Sequence, residues 1–233
     1  MPTDFDPSPM RPPLRALLFD FDGLIVDTEW PIYQAWSKTF RDHGHPLPLE
    51  TFTKCIGTDF DTWSPKTHLE NLTGAEINWP PLDAARQASI EENLEGAGPL
   101  PGIPEAVQAG ISSGLSLAVV SSSSHRWVDG WLKKIGLWDR FSLTVCRGDA
   151  PRIKPAPDLY LEAAHQLKLD PGSCLVVEDS VNGIKAAIGA GMPSAAIPNR
   201  VTSCCDFSIA DHVLQSAHEL PGLIAKLRAE PAP

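Results

Sequence analysis

The sequence predicts an α/β fold: a doubly wound parallel sheet with a helical insertion after its first strand. Three observations carry this expectation. Apolar runs at Leu14–Phe19, Leu115–Val120 and Cys174–Val177 each stop at a polar loop, as strands buried on both faces do. Helical patterns lie between the later runs, and strands alternating with helices imply a parallel sheet covered on both sides. Residues from about 29 to 98 carry helical patterns but no comparable apolar run.

The elements follow in order. Leu14–Phe19 is closed by Asp20-Phe21-Asp22-Gly23. The insertion holds helical patterns at Ile32–Phe40 and Leu82–Leu94, and Gly96–Gly102 is a flexible return. A helix at Ile103–Ser112 stops near Gly114 and feeds the strand Leu115–Val120, which ends in Ser121–Ser124. A helix at Trp127–Ile135 stops at Gly136. Asp158–Lys168 follows a Pro-Ala-Pro start signal, and Val181–Ala190 ends at Gly191 with Pro193 just beyond. Weaker strands are expected at Ser142–Cys146 and Ser194–Ile197. The division is then a flexible tail over 1–13, a core of 14–28 and 99–233, and an inserted unit over 29–98. Trp30, Trp36, Trp63 and Trp79 are read as the small core of that unit.

Composition narrows the function. Nineteen Lys and Arg stand against 29 Asp and Glu, a net charge of −10. That excludes the basic footprint of a nucleic-acid or anionic-membrane binder. No run approaches the roughly 18 apolar residues of a membrane span. The five cysteines show no metal-binding spacing, Cys204 and Cys205 are adjacent, and the seven histidines show no zinc pattern. A reducing cytoplasm is the simpler setting. The 23 prolines are scattered as loop punctuation. Oligomeric state stays open, with a monomer as the simplest expectation.

The polar residues that close the apolar runs carry the chemistry. Asp20 and Asp22, Ser121, and Glu178 with Asp179 all follow strand-like runs. In an open α/β sheet the carboxyl ends of strands form the ligand crevice. Four carboxylates meeting there need a cation, and hard oxygen ligands suit Mg²⁺. Lys154 adds positive charge from an Ile-Lys-Pro-Ala-Pro loop. The Ser121 hydroxyl and the N–H groups around Ser122, at a helix start, suit phosphate oxygens. Each feature also has a plain structural reading. Asp20–Gly23 can be a turn, Ser121–Ser124 a linker, Lys154 a solvated side chain, and Glu178–Ser180 a helix cap.

With these four motifs in order, the chain resembles the haloacid dehalogenase superfamily of phosphotransferases, in the subgroup with a helical cap. The matches are Asp20-Phe21-Asp22-Gly23-Leu24-Ile25-Val26-Asp27-Thr28-Glu29, then Ser121, then Lys154 in its Lys-Pro-x-Pro loop, then Glu178-Asp179. The resemblance spans most of residues 14–200. It departs at Leu24, where Thr or Val is usual, without chemical consequence. It implies a Rossmann-like core carrying the insertion as a cap. It implies Asp20 as the nucleophile forming an aspartyl-phosphate, and Asp22 as general acid and base. It implies Mg²⁺ held by Asp20, Asp179 and the main-chain carbonyl of Asp22, with Glu178 direct or through water. Lys154 would screen the nucleophile from the phosphoryl group and bind that group's oxygens, and Lys154→Ala should lower the rate without unfolding. The expected activity is hydrolysis of a small phosphorylated metabolite, with a sugar phosphate the first choice.

A phosphomutase similar to β-phosphoglucomutase is the runner-up. Such mutases carry a His on the first cap helix, where this chain has Ile32, and an Arg after a cap-loop Gly, where Gly57-Thr58-Asp59-Phe60-Asp61 has none. A dehalogenase would not need Asp22 and Asp179. A phospho-acceptor receiver domain would have no use for the insertion. Thr28 and Glu29 are read as hinge rather than chemistry.

Overall fold

A computed structural model describes residues 12–57 and 63–229. Of the expected tail over 1–13, all but Pro12 and Pro13 lies outside the described residues, as do Thr58–Asp61 of the cap loop. The elements run β1 (Ala16–Phe19), α1 (Glu29–Asp42), α2 (Leu49–Phe52), α3 (Pro65–Thr73), α4 (Trp79–Leu94), α5 (Ile103–Ser112) and β2 (Ser116–Val120). They continue with α6 (His125–Lys134), β3 (Leu143–Val145), α7 (Asp158–Leu167), β4 (Cys174–Glu178) and α8 (Val181–Gly189). The chain closes with β5 (Ser194–Ala196), β6 (His212–Val213) and α9 (Leu220–Ala229).

The six strands form one parallel sheet in the order β3-β2-β1-β4-β5-β6. Strand periodicity explains why the runs are apolar throughout. Leu17, Phe19, Leu117, Val119, Leu175 and Val177 enter one core cluster, with Ile103 and Val107 of α5, Val128 and Leu132 of α6, and Leu220 and Ile224 of α9. Ala16, Leu18, Ala118, Val120, Cys174 and Val176 enter another, with Leu159 and Tyr160 of α7 and Ala186 and Ala187 of α8. Both faces are therefore covered, as expected of a doubly wound sheet.

Helices α1 to α4 all fall between β1 and α5 and have a cluster of their own. Trp36, Phe40, Leu47, Phe52 and Leu69 form it, with Trp30, Trp63 and Trp79 packed against it and Val201 reaching in from the sheet side. The inserted tryptophans thus serve packing. Among the described residues no helix is long and apolar enough to cross a membrane. All five cysteines are free thiols.

Four helices and strands that the periodicity did not reveal are α2, α3, β6 and α9. The helix α9 begins Leu220-Pro221-Gly222, which argues against a helix on propensity alone. Burial of Leu220, Leu223 and Ile224 against the core overrides that preference. The helix α3 has a Ser64 cap and a left-handed Gly74 at its end, signals too short-ranged to stand out in a nine-residue segment.

Candidate active site

Parallel register sets the site. Phe19 of β1 lies level with Val119 of β2 and Val177 of β4. The next residues, Asp20, Val120 and Glu178, therefore share one layer at the carboxyl edge of the sheet, where such folds bind ligands. A cavity of about 550 Å³ opens there. Asp20, Asp22, Ser121, Ser122 and Asp179 line its floor, and Ile32, Phe52 and Ile56 of the inserted unit line its roof. Four of the strand-end features expected from the sequence are thus brought to one place.

Lys154 and Glu178 lie beneath that floor. Lys154 is 1% exposed and its Nζ donates to Asp20 Oδ1 at 2.5 Å, Glu178 Oε1 at 2.7 Å and the Val120 carbonyl at 2.7 Å. An ammonium has three donors, and all three are used. Two facing carboxylates raise the Lys154 pKa and outweigh the opposing effect of burial. Glu178 is filled as well. Its Oε1 also accepts from Tyr160 Oη at 2.8 Å, and its Oε2 accepts from Ser180 N at 3.1 Å and Ser180 Oγ at 2.9 Å. Ser180 in turn caps α8 through Gly183 N. Glu178 is thereby the counter-charge that fixes Lys154 under Asp20.

A Cβ on Gly183 would fall on the Glu178 carboxylate. Ala for Gly inside a helix ordinarily stabilises by about 0.5–1 kcal/mol. Here overpacking costs about 1–3 kcal/mol and wins. Gly183→Ala is therefore expected to lower both the melting temperature and turnover. An unchanged or raised melting temperature would show that Glu178 is not held this tightly.

Asp20, Asp22 and Asp179 face the cavity, with Lys154 beneath Asp20. Burial is the main influence pushing Asp20 up to about 8; Lys154 opposes it, and Glu178 and Asp22 add to it. Asp179 is also raised well above its ordinary range, by burial and then by Glu29, Asp20 and Glu178. Its Oδ2 accepts from Asn199 Nδ2 at 2.7 Å, while its Oδ1 is buried without a hydrogen-bond partner. Oxygens of Asp20, Glu178 and Asp179 lie within 4.8 Å of one another. An all-oxygen donor set, an orphaned buried oxygen and carboxylates that resist ionisation together fit a hard divalent cation such as Mg²⁺.

Glu29, read from the sequence as hinge, stands in this cluster instead. It is buried, and burial pushes it up to about 8. Asn199 Nδ2 donates to Glu29 Oε2 at 3.0 Å and to the Gly23 carbonyl at 3.1 Å, so it ties the first-strand loop to Asp179. Gly23 has φ +79°, and a Cβ there would meet Asp179, Asn199 and Glu29. Only glycine serves at that position.

Asp22 is held differently. Its Oδ1 accepts from Thr28 Oγ1 and Trp127 Nε1, each at 2.8 Å. Its Oδ2 accepts from Ser123 Oγ at 2.6 Å, with Ser121 Oγ at 3.5 Å. The side chain is thus fully partnered. Ser122, expected at phosphate, lines the cavity and places its Oγ 3.4 Å from the Gly57 carbonyl. Arg147 lines the cavity mouth and donates Nε to the Ser122 carbonyl at 3.0 Å. His125, given no role in the sequence reading, bridges Asp149 at 2.7 Å and Asp129 at 3.2 Å and fixes the start of α6. Burial lowers its pKa, but the two carboxylates more than offset that. Thr28, read from the sequence as hinge, donates to Asp22 instead, whereas Tyr160, Asn199, Trp127 and Arg147 had no spacing signal, because their roles depend on where loops return.

A family model described as haloacid dehalogenase-like hydrolase matches residues 17–197. YhcW of Bacillus subtilis (strain 168) is 40% identical over 207 residues, which cover 89% of this chain and 94% of that one. Hexitol phosphatase B of Escherichia coli (strain K12) is 31% identical over 218 residues, covering 89% and 94%. A crystal structure of a HAD family hydrolase from Deinococcus radiodurans R1, with bound phosphate and sodium, superposes with a TM-score of 0.75 at 27% identity, over 92% of this chain and 96% of that chain.

Proposed function

This chain belongs to the haloacid dehalogenase-like hydrolases and is a phosphoric monoester hydrolase, and from that premise we propose that it is a Mg²⁺-dependent phosphatase of a small phosphorylated metabolite, a sugar phosphate being the first choice. The observation that carries this reading is Asp20, at the carboxyl end of the central strand, 2.5 Å from a buried Lys154 and facing the same cavity as Asp22 and Asp179.

Asp20 attacks phosphorus in line, and the P–O bond to the leaving group breaks. Asp22 gives its proton to the departing oxygen, so an alcohol leaves and Asp20 carries the phosphoryl group. Asp22 then takes a proton from water as that water attacks the same phosphorus. Inorganic phosphate leaves, and both carboxyl groups return to their first state. Lys154 keeps Asp20 oriented and offsets its charge. The carboxylates of Asp20 and Asp179 and the main-chain carbonyl of Asp22 would hold Mg²⁺, which neutralises charge on the phosphoryl oxygens. Glu178 supports the site through Lys154, since its own oxygens are engaged.

Residues 29–98 serve as a cap over the sheet edge, which would exclude bulk water during turnover. A cavity of about 550 Å³ suits a metabolite rather than a phosphoprotein. Ile32 lines it where mutases of this type carry a His, which favours hydrolysis over transfer. A phosphate-release screen over sugar phosphates, nucleotides and small phosphoesters tests the reading. Release should stop with EDTA and return with added Mg²⁺. Turnover that survives full chelation, or isomerised sugar with little free phosphate, would overturn it.

A further inference from the structure

Asp22 is held by four side chains, and one of them differs in kind. The Ser121, Ser123 and Thr28 hydroxyls can each donate or accept, so they can adjust as Asp22 gains and loses a proton. The indole N–H of Trp127 only donates. It meets Oδ1 at 2.8 Å and therefore requires a lone pair there at every stage. Trp127 is half-buried and packs against the core beneath α6. It lies in the first turn of α6, edge-on to Trp131 with ring centroids 5.8 Å apart. Its ring lines both the catalytic cavity and a second groove between α4 and α6, beside Leu94 and Trp131.

We propose that Trp127 is a positioning residue for the acid–base step: its indole N–H claims Oδ1 of Asp22 and so leaves Oδ2 as the oxygen that exchanges the proton with the leaving group. The inference depends on the reading of Asp22 as general acid and base. It follows from the donor-only chemistry of indole, which shares Oδ1 with the Thr28 hydroxyl, and from the placement of the two serine hydroxyls on the other oxygen. Ser123 at 2.6 Å and Ser121 at 3.5 Å sit on Oδ2, the oxygen where reversible partners are needed. Trp127 does not itself touch the reacting atoms in this scheme.

The test compares leaving groups. An alkyl phosphate needs a proton on its departing oxygen, whereas p-nitrophenyl phosphate leaves readily without one. In the full-length enzyme with Mg²⁺, kcat/KM is measured for both substrates in Trp127→Phe, Ser123→Ala and Asp22→Asn. Trp127→Phe keeps the ring packing and loses only the N–H. It should lower kcat/KM about tenfold for the alkyl phosphate and less than about twofold for the aryl phosphate, a fraction of the ~10²–10⁴ that general acid catalysis supplies. The loss should fall on kcat more than on KM. Asp22→Asn should show the same selectivity more strongly, and its failure to do so would overturn the reading of Asp22. If Asp22→Asn is selective and Trp127→Phe slows both substrates equally, or neither, Trp127 is packing alone and the inference fails. Should Trp127→Phe not fold, Ser123→Ala carries the test. The proposal expects a milder but still alkyl-selective loss there, and an equal loss on both substrates would overturn it.

Discussion

Asp20→Asn is expected to abolish phosphate release, by on the order of 10⁴–10⁶, the scale on which loss of a catalytic nucleophile registers, and to leave the protein folded. The two halves of this expectation have separate causes. The amide oxygen is a poor nucleophile, so no phosphoryl group is taken up. The fold survives because the Asp20 charge is an expense to the folded chain, as its upward shift to about 8 by burial indicates. A neutral isostere removes that cost. Lys154 retains Glu178 and the Val120 carbonyl as partners. Initial rates and thermal melts on the same preparation separate chemistry from folding. Ordinary turnover by Asp20→Asn would remove Asp20 from the mechanism.

Lys154→Met has the other large effect, on stability as well as rate. The resemblance alone suggested a lower rate without unfolding. Burial changes that expectation: at 1% exposure Lys154 is a buried hub rather than a solvated cation. Removing one partner of a buried pair leaves an uncompensated charge and costs about 3–5 kcal/mol. For a chain of this length that is a fall of roughly 6–20 °C in melting temperature. Glu178 and Asp20 are the charges left behind, so Lys154→Met with Glu178→Gln should recover part of the stability and none of the activity. A single variant that melts like the parent would show that Lys154 is not the counter-charge described here.

Much of the fold was legible because strand burial writes itself as apolar runs. β1, β2 and β4 stand within two residues of their expected bounds, and α5 matches its bounds at Ile103–Ser112. The nucleophile candidate was legible for the same reason: a carboxylate directly after such a run falls at the sheet edge. What was not legible depends on chain return. Glu29 is nine residues past Asp20 in sequence, yet it turns back into the acidic cluster through Asn199, a residue from beyond β5. Trp127 reaches Asp22 across 105 positions, and no spacing encodes the direction of an indole N–H. Glu178 was visible as an acid beside Asp179, but its saturation by Lys154, Tyr160 and Ser180 was not. Local pattern reports burial, and only tertiary structure reports which polar groups satisfy each other.

The most direct test of the mechanism is the stereochemical course at phosphorus, followed with an isotopically chiral phosphorothioate monoester hydrolysed in isotopically labelled water, so that the inorganic thiophosphate released is itself chiral. Two in-line displacements, first by Asp20 and then by water, each invert the centre, so the account predicts net retention. Net inversion would mean that water attacks the substrate directly, and the aspartyl-phosphate at Asp20 would be excluded.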